Sequence, residues 1–452
     1  MPTNTHRTGS VMHQKTREKA DGLRKSGCFK EAAAEYAALW PDRDVWTGWG
    51  YAHCLRKVGR SKEALAIASE VHELDPGFVL GRSIYAWTLY DVHIRGSKTL
   101  DAEVLKAAQT IVDLTNDDRA YEPTSAFAIT VLYVAKLWAD AQRDLRVLEW
   151  LDKLDVARLP VDPGKGVDSK GRDQEFASRK ERYYSLRSHS LERLGRWKEC
   201  LETATRALSE CGRLHHDNEI WFKRRIALAK QSLGDSKEAL VELQQLAERK
   251  DASFIHIDIA TAAWDAGDHV STYKHALLAL CTPQDIGFKL EAVRLLAEVL
   301  WERGEKEHAR NHLSLCLAVR KARGWKQSDG LAKLAKSWGV SEPLRESDAI
   351  LRELQPLWEQ WTEDLTPKTE DLTPKMTGTI MKILPNGHAG FIRGDDRADF
   401  YFNIRDWKDR RSRPTEGTRV TFATKSSFDS RRQRSTIVAC DVRPTVKHVT
   451  RN

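Results

Sequence analysis

The sequence predicts a multidomain chain: a long, mainly α-helical solenoid, then a small all-β barrel of five strands. Three observations predict it. A frame of small and apolar residues around a turn glycine recurs six times before residue 324. At Thr377 the hydrophobic pattern changes from a helical period to alternation. The charge is divided as well. Residues 376–452 carry 16 Lys and Arg against 8 Asp and Glu, whereas residues 1–375 carry 57 of each, so the whole formal charge of +8 lies in the final stretch. With 452 residues the chain is too long for one core.

Residues 1–15 are polar and read as a flexible N-terminus. Helical hairpins are expected across 16–324. The clearest runs from Trp46 to Pro76, with Ala52, Leu55, Gly59, Ala64, Ala68 and Pro76 at its key positions. Ala52 and Ala64 let two helices pack closely, Gly59 ends the first helix in a left-handed conformation, and Pro76 stops the second. The same frame recurs around Gly27, Gly195, Gly234, Gly267 and Gly304. The turn glycines lie 32 apart in the first pair, then 39, 33 and 37 apart from Gly195 onward.

This frame resembles the tetratricopeptide repeat, a helix-turn-helix unit of about 34 residues. The resemblance implies a concave groove lined by fixed positions of each first helix. Those positions make Arg182, His189, Trp221, Arg224, Trp264, Arg294 and Trp301 the candidate protein-binding residues, aromatics beside arginines being the composition of binding hot spots. Packing between repeats is the competing role for the tryptophans. The asparagines of the family's carboxylate-clamp subtype are missing, so a chaperone-tail ligand is not expected.

Between about 97 and 175 the frame loosens into an irregular insertion. Leu100–Leu114 and Thr124–Leu154 read as long helical stretches, and Pro160–Asp173 as a surface loop or hinge. Gly164-Lys165-Gly166 lies in that loop but lacks the preceding strand and the Gly-Lys-Ser/Thr ending of a phosphate loop. Residues 325–361 read as capping helices that close the apolar end of the solenoid. A seven-residue motif, Thr-Glu-Asp-Leu-Thr-Pro-Lys, then occurs twice over 362–375 and reads as a semi-stiff linker.

In the barrel, expected over 376–444 with a tail at 445–452, five short strands are read. They are Gly378–Ile383, Ala389–Ile392, Phe400–Phe402, Arg419–Phe422 and a last one starting at Thr436. These residues resemble a cold-shock domain of the OB-fold class. The opening Gly-Thr-Val-Lys-Trp-Phe of that family corresponds to Gly378-Thr379-Ile380-Met381-Lys382-Ile383. Its first ribonucleoprotein motif corresponds to Gly387-His388-Ala389-Gly390-Phe391-Ile392, and its second to Asp399-Phe400-Tyr401-Phe402-Asn403. The resemblance implies base stacking on Phe391 and Tyr401, with His388 and Asn403 beside them. Lys382, itself a candidate nucleic-acid contact, and Ala389 stand where the family has aromatics. Stacking contributes about 1–3 kcal/mol per base, so phosphate contacts from Arg393, Arg405, Arg411, Arg432 and Arg434 are expected to compensate.

Other chemistry finds little support. The seven cysteines are scattered and never form a Cys-x-x-Cys pair, which argues against a disulfide framework or a zinc ribbon. His308 and His312 share a helix face without the glutamate of a zinc-hydrolase motif. No metal, no cofactor and no enzymatic activity are expected. Neither a bilayer-spanning run nor a signal-peptide core is found, so the expected location is the cytoplasm, without a membrane partner. The leading expectation is a non-enzymatic adaptor. Its barrel binds single-stranded nucleic acid, RNA ahead of DNA, and its solenoid binds a protein. The alternative is a protein-only scaffold or a regulator of an effector enzyme in bacterial stress or phage defence.

Overall fold

The computed structural model describes residues 16–167, 171–341, 345–365, 376–384, 389–409, 413–429 and 434–445. The chain divides into two compact units, residues 1–246 and 247–452. The fold is a tetratricopeptide-like α-solenoid followed by a closed five-stranded barrel.

The first unit is a succession of helical hairpins. They pair α1 (16–25) with α2 (Phe29–Leu39), α3 (Val45–Lys57) with α4 (Ser61–Leu74), and α5 (Val79–Leu89) with α6 (Ala102–Thr115). Next come α7 (Phe127–Asp140) with α8 (Asp144–Leu151), α9 (Arg179–Arg193) with α10 (Trp197–Glu210), and α11 (Asn218–Leu233) with α12 (Ser236–Arg249). Alanines at the helix crossings are fully buried, among them Ala32, Ala52, Ala64 and Ala204, which lets the backbones approach. The glycines at 27, 59, 195, 234, 267 and 304 all have positive φ, between 67° and 109°. At Gly59 this conformation closes the turn, and the next amide, Arg60 N–H, donates back to the Leu55 carbonyl at 2.9 Å.

Two expectations for the insertion need correcting. Thr124–Leu154 is not one helical stretch, because α7 and α8 are separated by a turn of the same kind. There Gln142 takes the left-handed position at φ 56°, and Arg143 N–H donates to the Trp138 carbonyl at 2.9 Å. The expected loop at 160–173 contributes to a hairpin of two short antiparallel strands, β1 (Gly164–Val167) and β2 (Asp173–Phe176). Gly166 permits it, since a Cβ there would lie 2.8 Å from the Phe176 ring. A further irregularity follows α5, whose end widens into a π turn over Tyr90–Ile94. That turn brings Asp91 to Arg56 at 2.5 Å and to Arg95 at 3.0 Å.

In the second unit α13 (Ser253–Asp265) pairs with α14 (His269–Leu280), and α15 (Leu290–Glu302) with α16 (Lys306–Ala322). Then come α17 (Asp329–Ser337) and α18 (Ser347–Leu365). Leu331, Trp338, Leu354 and Trp358 cover the apolar side of this stack. α18 runs past Trp361 into the first copy of the duplicated motif, because Leu365 continues the apolar stripe of Leu354, Trp358 and Trp361. The remainder of the duplication, 366–375, lies outside the described residues.

The barrel strands are β3 (Met376–Ile383), β4 (Ala389–Gly394), β5 (Asp399–Asn403), β6 (Arg419–Asp429) and β7 (Arg434–Pro444). They close in the order β3-β4-β5-β7-β6. Neighbours are antiparallel except β5 and β7, which run parallel. The core is Ile380, Ile392, Phe400, Phe402, Val420, Phe422, Ala439 and Val442. β6 and β7 extend beyond the short strands expected, with pairing that continues to Asp429↔Arg434.

Candidate nucleic-acid interface

The barrel site follows from the period of two. On β5, Phe400 and Phe402 enter the core, so Asp399, Tyr401 and Asn403 face outward. On β4, Ile392 is buried while Phe391 and Arg393 face outward. The register sets Phe391 directly opposite Tyr401, and their rings meet edge to face at 5.7 Å and 72°. These two rings are 37% and 40% exposed, a large apolar area for a small barrel to leave in water. A β-bulge in β3 between Ile380 and Lys382 places Lys382 opposite Phe391 and leaves Met381 exposed beside it. Gly390 makes this close pairing possible, since a Cβ there would lie 2.6 Å from the Phe402 ring and 2.7 Å from the Lys382 carbonyl.

Charge on this face is partly committed. Arg393 lies opposite Asp399 and holds its carboxylate with two N–H donors at 2.8 and 3.0 Å. That bonding lowers the Asp399 pKa and raises that of Arg393. Arg393 is therefore one half of an ion pair and not an unengaged phosphate ligand. Asn403 is exposed opposite Ala389 at the end of the aromatic pair. His388, Arg411 and Arg432 lie outside the described residues, as do the side chains of Arg405 and Arg434.

The groove candidates separate into engaged and packed side chains. In the first unit Arg182 is half-buried and His189 exposed on α9, two turns apart. Arg224 lies over the Trp221 ring at 5.8 Å and donates to Glu192 at 2.8 Å, while the neighbouring Arg225 takes the other Glu192 oxygen at 2.9 Å. In the second unit Arg294 is held between Glu291 and Glu298. Trp264 meets His269 edge-on at 5.0 Å. Trp301 is stacked flat on Trp338 at 4.4 Å and 4°. One face of Trp301 thus packs against the end of α17, the competing role named for the tryptophans. The partnerships of Glu192, Asp399 and Trp338 are not legible in the sequence, because each meets its partner only through the fold.

Among the described residues no group of three or more metal-binding side chains gathers, and no helix is long and apolar enough to cross a membrane.

Residues 220–355 match the family model described as a domain of unknown function (DUF7017). No curated protein matches the chain. Among solved structures the chain is similar to one in the APC/C hetero-tetramer Cut9-Hcn1, with TM-score 0.38 and 13% identity over 75% of this chain. It spans only 57% of that chain's length. It is also similar to YrrB, a TPR protein with an unusual peptide-binding site, with TM-score 0.33 and 16% identity over 51% of this chain and 99% of that one. Human IFIT1, solved as a dimer with m7Gppp-AAAA, gives TM-score 0.36 and 12% identity over 77% and 81%. Likeness at this level carries no functional assignment.

Proposed function

We propose that the chain is a non-enzymatic adaptor whose barrel binds single-stranded nucleic acid, RNA in preference to DNA, while its solenoid holds a protein partner. The observation that carries the reading is the Phe391–Tyr401 pair, set face-outward by register and flanked by Lys382. Exposed rings beside cations are the surface on which unstacked bases lie and phosphates are neutralised. The strand order β3-β4-β5-β7-β6, with its single parallel pair, supports the cold-shock-like OB reading of the barrel. For the solenoid, the repeat architecture supports a protein-interaction role, with Trp221 and Trp264 as the half-buried aromatics of its first helices.

The test is titration of the full chain with a labelled single-stranded oligoribonucleotide and its deoxy counterpart. Phe391→Ala and Tyr401→Ala are each expected to weaken binding about 5- to 160-fold, corresponding to about 1–3 kcal/mol per stacked base, without unfolding the barrel. Binding unchanged in the double variant would overturn the reading. A protein-binding barrel is the second reading, favoured by the exposed Met381 next to Lys382 and by the neutralising Arg393–Asp399 pair.

A further inference from the structure

The first turns of α9 hold two guanidinium groups that meet no counter-charge among the described residues of the unit. Arg179 and Arg182 are three residues apart and so rise from the same side of the helix. Both are half-buried. The Nη1 nitrogen of Arg179 is closed off from solvent and meets no hydrogen-bond partner. Among the described residues, Arg182 and Tyr90 act electrostatically on Arg179, and Tyr90 acts on Arg182. Burial lowers the pKa of both, and the like charge of Arg182 lowers that of Arg179 further.

The contrast with the rest of this unit is informative. Among the described residues its other part-buried arginines meet an acid, as Arg56 meets Asp91, Arg187 meets Asp152, and Arg224 and Arg225 share Glu192. Tyr90 belongs to the π turn, packs edge-on against Tyr133 at 6.3 Å and carries Arg95 over its ring at 5.8 Å. The carboxylate of that turn, Asp91, is already shared by Arg56 and Arg95. A buried charged N–H without an acceptor costs its desolvation, and two like charges side by side add repulsion. An anion entering between them would remove both costs.

We propose that Arg179 and Arg182, beside Tyr90, form a binding site for a phosphate-class oxyanion in the solenoid. The chemistry selects phosphate. Two planar forks offer more donors than one carboxylate can accept, whereas a tetrahedral dianion presents an oxygen pair to each. The position on the first turns of α9 adds the favourable end of the helix dipole. This site is separate from the barrel and does not depend on its reading.

The test is calorimetric titration of the full chain with sodium pyrophosphate at fixed ionic strength. Saturable binding is expected, weakened about tenfold or more in the Arg179→Met/Arg182→Met double variant. Without ligand that variant should melt no lower than the parent, because methionine removes the like-charge pair, and a purely structural role predicts the opposite. Arg182→Lys, which keeps the charge and loses the fork, should bind more weakly than the parent should the double variant fail to fold. AMP matching pyrophosphate would assign a nucleotide-borne phosphate, and pyrophosphate alone a free anion; either outcome supports the site. Equal binding by the double variant, no binding by the parent, or succinate matching pyrophosphate would each overturn it.

Discussion

Protonation of one buried histidine should loosen the end of the second unit. His312 on α16 is fully buried. The indole N–H of Trp358 on α18 points at its Nε2 at 2.7 Å, and an indole nitrogen can only donate. Nε2 is therefore the acceptor, and Nδ1 carries the proton that bonds the His308 carbonyl at 2.7 Å. A second proton on Nε2 would set two donors against each other in a site closed to water. Burial accordingly holds the pKa of His312 down at about 4, against an ordinary 6.5. Because the folded value lies below the unfolded one, the contribution of this residue is full above pH 6.5 and is lost as the pH falls toward 4. Between pH 7 and pH 5 the loss comes to about 2 kcal/mol, which is roughly a 30-fold rise in the population of opened α16–α18 packing. Hydrogen exchange read by mass spectrometry on peptides from α16 and α18, corrected for intrinsic rates, measures that opening at each pH. His312→Gln removes the titration, so its opening should rise less between pH 7 and pH 5 by about that factor, whatever its stability at pH 7. His53 and His275, whose pKa values burial also lowers to about 4, contribute equally to parent and variant. Identical pH dependence in the two proteins would refute the tautomer and the pinning argued from it.

The other predictions concern the hairpin turn and the barrel ion pair. Gln142 sits in a left-handed position that glycine fills in the sister hairpins, so Gln142→Gly should stabilise the first unit by about 0.5–1 kcal/mol. Urea unfolding followed by circular dichroism would show it, and a loss of stability would mean that the Gln142 side chain makes a compensating contact. Asp399→Asn should release Arg393 and steepen the salt dependence of oligonucleotide binding by about one phosphate contact. An unchanged slope of log K against log salt would show that Arg393 does not reach the ligand.

Six hairpins are legible from a turn glycine, and the α7–α8 hairpin, which is not, shows why. α7 and α8 make the same backbone turn as α3 and α4, down to the amide that returns to the carbonyl five residues earlier. Gln142 carries no mark of the left-handed conformation it adopts, so the helical period appeared to run on. The β1–β2 hairpin was invisible for a different reason. Its strands are four residues long and largely exposed, so no buried face imposes an alternation. β6 and β7 were read short because apolar alternation marks only their barrel-lining parts, whereas backbone pairing carries them further. The outward placement of Tyr401, by contrast, follows from its two neighbours alone, since Phe400 and Phe402 cannot both enter the core unless Tyr401 leaves it.

Which cations are available to a ligand is a question of partners, and most partners are distant in sequence. Arg224 and Arg225 meet Glu192 across 32 and 33 residues, so the groove candidate Arg224 is tied to an acid that only the fold brings to it. Arg294 differs only in that its acids lie three and four residues away on the same helix and were readable from spacing. Arg393 on the barrel is tied to Asp399 across a strand pair, which moves the interface toward Tyr401, Phe391 and Lys382. Once these pairs are set aside, the arginines that the solenoid buries without an acid stand out. A helix that carries Arg187 to Asp152 and Arg193 to Asp144 has acids within reach of its cations, yet among the described residues no acid meets Arg179 or Arg182 in its first turns. Net charge singles out the barrel region, which carries the whole excess of +8; counter-charge, residue by residue, singles out the proposed Arg179–Arg182 site in a helical region whose net charge is zero.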